Sequence, residues 1–271
     1  MHPIERLRYV ARASGAPQAA LVRETAAALG SLAFDPAGLV TACRRVLDRH
    51  PSSGALWWLA ARVLTTMGDA DEEGWRCADE LDDDPTSEEL AHALPAEATV
   101  CVLGWPELTG EALARRGDVE VLAIDALDEG IGLVRQLRYA GVDASDVPVV
   151  GLGAAVASAD LLVLEASATS PDGFVAVAGS RAAAAVAHHA GVPVWVVVGR
   201  GRRLPAELFA ALTARVEAEH AREPWLSPDE VVPASLVGCV SGPAGLVDPA
   251  IALATADCPV AAELLRSVPR L

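Results

Sequence analysis

Residues Asp160–Arg203 read DLLVLEASATSPDGFVAVAGSRAAAAVAHHAGVPVWVVVGRGRR. Leu161–Leu164 is a short apolar run of strand length, and a polar turn with Asp172-Gly173 follows it. A helix of small residues then starts near Ser180 and stops at Gly191-Val192-Pro193, where glycine and proline end helices. A second apolar run, Val194–Val198, completes the pattern. Two buried strands joined by a helix form a βαβ unit, which requires a parallel sheet. Such sheets hold ligands at the C-terminal ends of their strands. Those ends fall where the chain turns polar, at Glu165–Ser170 and Gly199–Arg203.

The same alternation extends outward from this block. Further strands are expected at Thr99–Leu103, Val119–Ile124, Val147–Leu152 and Leu236–Val240. Helices are expected at Gly110–Arg116, Gly130–Ala140, Ala154–Ala159 and Pro205–His220. Strand–helix alternation of this kind predicts a doubly wound, mostly parallel Rossmann-like α/β sheet. Residues 1–94 differ in period. Apolar positions there recur every three or four residues, as in Leu56, Leu59, Ala60, Val63 and Leu64, which predicts helices at Ile4–Ala13, Ala16–Leu29, Ala37–Arg49, Ser53–Met67 and Glu72–Leu81. Asp35-Pro36 is a helix start and Gly68 a helix stop. The expected organisation is a helical domain, 1–94, followed by a Rossmann-like domain, 95–271. The acidic run Asp79–Glu89 reads as a solvated exit from the helical part.

Composition narrows the function. The 271 residues are 52% hydrophobic, enough for a sizeable core, and carry a net charge of −16. That charge argues against a nucleic-acid partner, which needs clustered cations. The apolar runs are far shorter than the roughly 18–20 residues of a bilayer span, so no membrane partner is expected. No basic-then-apolar leader opens the sequence, and the five cysteines have no CxxC spacing. Reduced, packed thiols, a cytoplasmic location and no metal are the expectations. All 21 basic residues are arginine, a bias of coding or of an acidic, salt-adapted proteome that rules out lysine chemistry. Gly151-Leu152-Gly153 lacks the third glycine of a dinucleotide loop, so no cofactor is expected.

The succession of Ala159-Asp160, apolar strand, Glu165-Ala166-Ser167, short strand, Gly179-Ser180, alanine-rich helix, Gly191-Val192-Pro193 and strand resembles one superfamily. It comprises the alpha, beta and delta regulatory subunits of translation initiation factor 2B, methylthioribose-1-phosphate isomerase and ribose-1,5-bisphosphate isomerase. Trp225–Ala252 is similar to the family's C-terminal segment, and Ser14-Gly15-Ala16 to its R-G-A segment. The resemblance implies a helical domain before a Rossmann-like one, pairing into a homodimer or higher oligomer, and a phosphorylated small molecule as ligand.

The isomerases of this superfamily use a cysteine after the first sheet strand and an aspartate after a later one. By resemblance these positions fall on Gly104 and Ser167, while Cys101 lies within the strand and reads as an inert core thiol. Glu165 and Ser167 are the remaining acid, base or nucleophile candidates, with a pocket-lining or capping role for Glu165 as the bland alternative. The family's N-K-I-G-T segment is Val177-Ala178-Gly179-Ser180-Arg181 here, without its asparagine and lysine. What remains is a helix N-terminus, Gly179-Ser180 with Arg181, suited to an anion or to no more than a capped helix with a surface arginine. Arg200, Arg202 and Arg203 read either as a second anion clamp or as solvated loop charges. Ser14 replaces a phosphate-binding arginine, with Arg12 nearby. His188-His189 suit a helix C-terminus rather than a metal. Trp57-Trp58 are not expected to share one core.

Gly104, Ser167, Gly179, Ser180, Arg181 and Arg200 are thus the expected ligand contacts of a non-catalytic regulatory or assembly subunit. The alternatives are an aldose–ketose phosphate isomerase with a rearranged site and an interaction protein without a ligand.

Overall fold

The computed structural model describes residues 17–265; Arg12, Ser14-Gly15-Ala16 and the expected helix Ile4–Ala13 lie outside them. The chain opens with helices α1 (Gln18–Leu29), α2 (Pro36–Arg49), α3 (Gly54–Thr65), α4 (Ala70–Asp82) and α5 (Thr86–Ala93). Asp35 caps α2 by accepting from Gly38 N at 3.0 Å, with proline in the first turn as the sequence suggests. The alternating part follows as β1 (Thr99–Leu103), α6 (Glu107–Arg116), β2 (Glu120–Ile124), α7 (Gly130–Tyr139), β3 (Asp143–Val147), α8 (Leu152–Ser158) and β4 (Leu161–Glu165). The hairpin β5 (Ala168–Ser170) and β6 (Gly173–Val177) comes next, then α9 (Ser180–Ala190), β7 (Val194–Val197) and α10 (Ala206–Glu219). The chain ends with β8 (Asp229–Pro233), β9 (Cys239–Gly242), β10 (Gly245–Val247) and α11 (Pro249–Ala252).

The main sheet has the order β10-β9-β7-β4-β1-β2-β3. All neighbours run parallel except β10, which pairs antiparallel with β9. Counting its parallel strands alone, this is the doubly wound order 3-2-1-4-5-6, and the order reverses between β1 and β4. Side-chain alternation with period two explains why both faces are covered. Val100, Val102, Leu161 and Val163 face a core made with α5, α6 and α7, while Cys101, Leu103, Leu162 and Leu164 face α8 and α9. A third core joins α1–α4 to α10 and to Cys258, Ala261 and Leu264.

Several expectations are corrected. Val147–Leu152 is not a strand. The third strand is the more polar Asp143–Val147, an edge strand, and Pro148 leads into a 3₁₀ turn at Val149–Gly151. The last parallel strand is Cys239–Gly242 rather than Leu236–Val240. A separate three-stranded antiparallel sheet, β5-β6-β8, occupies what reads in sequence as a polar turn and a loop. Trp57 and Trp58 do share one core. Trp58 Nε1 donates to Asp257 O at 3.1 Å and Trp57 Nε1 to Pro51 O at 3.0 Å, because C-terminal residues cover the side of α3 that the other helices leave open. Helix α3 ends at Thr65 with Thr66 as its cap, before Gly68. Among the described residues no helix is long and apolar enough to cross a membrane.

Candidate functional site

The two polar stretches do meet at the C-terminal edge of the sheet, and they bind each other. Thr169 N donates to Arg202 O at 2.7 Å and Leu204 N to Thr169 O at 2.9 Å. Arg202, 4% exposed, inserts its guanidinium under β4, where Nη1 donates to Glu165 Oε1 at 2.9 Å and to Ala166 O at 2.8 Å. The other carboxylate oxygen, Oε2, accepts from Thr109 N at 3.0 Å and Thr109 Oγ1 at 3.1 Å. Thr109 is the third residue of α6, whose first-turn N–H groups have no partner within the helix. Glu165 therefore lies at the point where the strand order reverses, held by a buried cation and a helix N-terminus. Beside it, burial pushes the Glu107 carboxyl up, opposed by the Arg202 charge and by a hydrogen bond from Gln18 N.

Two of the three arginines expected as a second clamp, Arg202 and Arg203, are therefore otherwise engaged. Arg203 forms an ion pair with Asp257 at 2.7 Å and donates to Ala252 O. Arg200 N donates to Asp84 Oδ2 at 2.8 Å, while its buried Nε finds no partner among the described residues. Asp84 also accepts from Thr86 N and Oγ1 at the start of α5. It is a tie between the helices and the sheet edge rather than part of a solvated acidic face; Asp79 and Asp82 of the same run pair with Arg23 at the surface.

Gly104 directly follows β1 with φ +61°, and its N–H donates to Ile124 O at 2.9 Å. A Cβ there would meet Glu129 Oε2 at an ordinary contact distance of 3.4 Å, so it is the left-handed backbone, which side chains adopt only with strain, that favours glycine over a reactive residue here. Cys101, three residues earlier, is fully buried, and burial pushes its thiol up to about 12. Ser167 is held between the helical layer and β6: its carbonyl accepts from Gly54 N at 3.0 Å and its hydroxyl donates to Val175 O at 3.3 Å.

Gly179, φ +97°, caps α9, and a Cβ there would meet Leu103 Cδ2 at 3.3 Å, so this helix start sits beside the end of β1. Ser180 Oγ is buried and finds no partner among the described residues. Arg181 N donates to Glu230 Oε1 of β8 at 2.9 Å, and the Arg181 side chain is exposed. Two carboxyls near this edge, Glu129 and Asp229, interact with each other. Burial pushes both the Glu129 and the Asp229 carboxyls up, and the Asp229 charge raises Glu129 further. The structure thus brings Gly104, Gly179 and Ser180 to one edge and ties Ser167 into the seam between β6 and α3. Arg202, Thr109 and Glu230 are the residues of this edge that sequence reasoning underrated. Their only signal is polarity next to a strand end or helix start, with no spacing motif.

No protein-family model matches the sequence, and no curated protein aligns with it significantly. Solved structures do match. An initiation factor eIF-2B protein from Pyrococcus horikoshii OT3 is similar with a TM-score of 0.77 at 15% identity, covering 93% of this chain and 98% of that one. The beta subunit of eIF2B from Chaetomium thermophilum gives 0.68 at 15% identity, covering 91% and 88%. The tetrameric beta2-delta2 complex from the same organism gives 0.69 at 15% identity, covering 91% and 90%. Coverage of both partners nearly end to end, with helical layer, hairpin and sheet together, leaves one reading of the architecture: this chain has the fold of the translation initiation factor 2B subunits.

Proposed function

We propose that the chain is a divergent initiation factor 2B-like protein that acts as a cytoplasmic regulatory or assembly subunit and does not isomerise a sugar phosphate. The observation that carries this reading is the clamp on Glu165. A general base must be free to take a proton from its substrate, and this carboxylate already accepts three hydrogen bonds from Thr109 and Arg202. Gly104 and Ser167 stand where the resemblance implies the catalytic cysteine and aspartate. Neither supplies that chemistry.

A phosphorylated small molecule, a sugar phosphate or a nucleotide, is proposed to bind at Gly104, Gly179, Ser180 and Arg181, with Arg200 at the rim. Such a ligand competes with Glu230 for the N-terminus of α9. Self-association or pairing with related subunits is supported by the tetrameric neighbour. It is also supported by exposed Trp105, Leu127, Ile131, Val149 and Val150 near the C-terminal ends of β1, β2 and β3.

The test is thermal unfolding against ribose-1,5-bisphosphate, methylthioribose-1-phosphate, AMP and GDP, with inorganic phosphate as control and turnover assayed on every compound that shifts the melt. At 100 times its dissociation constant a specific ligand adds about 2.7 kcal/mol of stability. A selective shift without turnover is expected, and Arg181→Ala should weaken that ligand by about 1.5–3 kcal/mol. Ketose formation by the wild-type protein would overturn the non-catalytic reading.

A further inference from the structure

The donors around Glu165 make up a finished oxyanion site. Thr109 contributes a backbone N–H and a hydroxyl, and Arg202 contributes a guanidinium whose side chain is 5% exposed. Helix α6 begins immediately after β1 and adds the positive end of its dipole. In doubly wound sheets that helix start, beside the reversal of strand order, is where a phosphate group sits. Here the position is filled from within: Glu165 is 56 residues from Thr109 and 37 from Arg202 along the chain. An ordinary helix cap is a neighbour of the helix it caps, so this carboxylate is a delivered anion rather than a local cap.

We propose that the switch point is an oxyanion site held closed by the chain's own Glu165, which stands where a free carboxylate or phosphate would otherwise bind. The buried Arg202 gives the arrangement its necessity. A guanidinium cannot lose its proton at this depth and requires a resident anion. The chain supplies one permanently, so the fold does not depend on a ligand at this point. This inference rests on the non-catalytic reading of Glu165. It also directs any phosphorylated ligand away from β1–β4 and toward the start of α9.

Chemical rescue tests it on the full-length protein. Glu165→Gly removes the carboxylate and leaves its space. This variant should melt below the wild type, and acetate or inorganic phosphate at constant ionic strength should raise its melting temperature saturably, by about 2–4 °C. The wild type should show no saturable response at these concentrations, and Glu165→Gly combined with Arg202→Met should lose the rescue. An anion response no larger than that of the wild type, or one that survives Arg202→Met, would overturn the proposal. If Glu165→Gly folds poorly, its refolding yield in acetate against chloride reads the same effect. Glu165→Gln, which keeps the shape without the charge, should melt lower than the wild type and ignore acetate; equal stability would count against the proposal. Turnover by the wild type would sink the non-catalytic reading and this inference with it, whereas failed rescue without turnover would sink this inference alone.

Discussion

Asp229 shows most clearly how a single side chain here conflicts with its surroundings. Burial is the main cause of its raised carboxyl, and Glu219 adds to it, while a hydrogen bond from Ser52 and the His220 ring oppose it. Nearby Glu129 is raised chiefly by burial, with Asp229 contributing and the Trp105 backbone opposing. For a carboxyl whose folded-state pKa lies above its unfolded value, the native state binds the extra proton. Its stabilising contribution is then fully present below the ordinary aspartate value of 3.8 and is lost as pH rises through the folded value. Asp229→Asn keeps an acceptor for Ser52 and removes the charge. It should melt above the wild type at pH 8, with the gap closing as pH falls toward 4; a gap independent of pH would refute the burial account. Nothing in the neighbourhood of Asp229 in the sequence signals this, because Ser52 and Glu129 reach it from distant segments.

At the scale of elements, strand β6 is the instructive case. Its residues alternate between two cores, Phe174 and Ala176 toward α9 and Val175 toward the helical layer. A period-two reading of Gly173–Val177 was open in the sequence, but the preceding Asp172-Gly173 turn dominates it. The seam between this hairpin and the helices is closed by Gly54. Its N–H donates to Ser167 O, and a Cβ there would lie 2.4 Å from that oxygen and 2.9 Å from Ala168 Cβ. Glycine to alanine in a helix ordinarily stabilises by up to about 1 kcal/mol. Here the contact is with backbone, and overpacking costs about 1–3 kcal/mol, so the clash wins. Gly54→Ala should lower the urea midpoint without changing the slope; a higher midpoint would mean that the seam yields. The misplaced third strand has a different cause. Val147-Pro148-Val149-Val150 is apolar enough to look buried, yet it lies at the sheet edge, where Val150 is 97% exposed.

Across the whole molecule, charge and packing act on different ranges. The surface pairs Arg23–Asp79, Arg76–Glu72 and Arg116–Asp118 are exposed to varying degrees, and such pairs contribute about 0–1 kcal/mol each. Self-repulsion from a net charge of −16 acts on the entire compact state and is screened beyond about 10 Å at 0.1 M salt. The repulsion should therefore dominate: the melting temperature is expected to rise between about 20 mM and 500 mM sodium chloride, and a fall would show that the attractive pairs prevail. Apolar periodicity by itself determined the parallel sheet, the helices on its two faces and the helical layer before it, because burial of alternate or every third and fourth residue is a property of neighbouring positions. Only the tertiary structure decided what fills the edge of that sheet. The Glu165–Arg202–Thr109 and Glu230–Arg181 contacts join residues 37 to 56 positions apart, and hydrogen bonds across such distances leave no periodic trace in the chain.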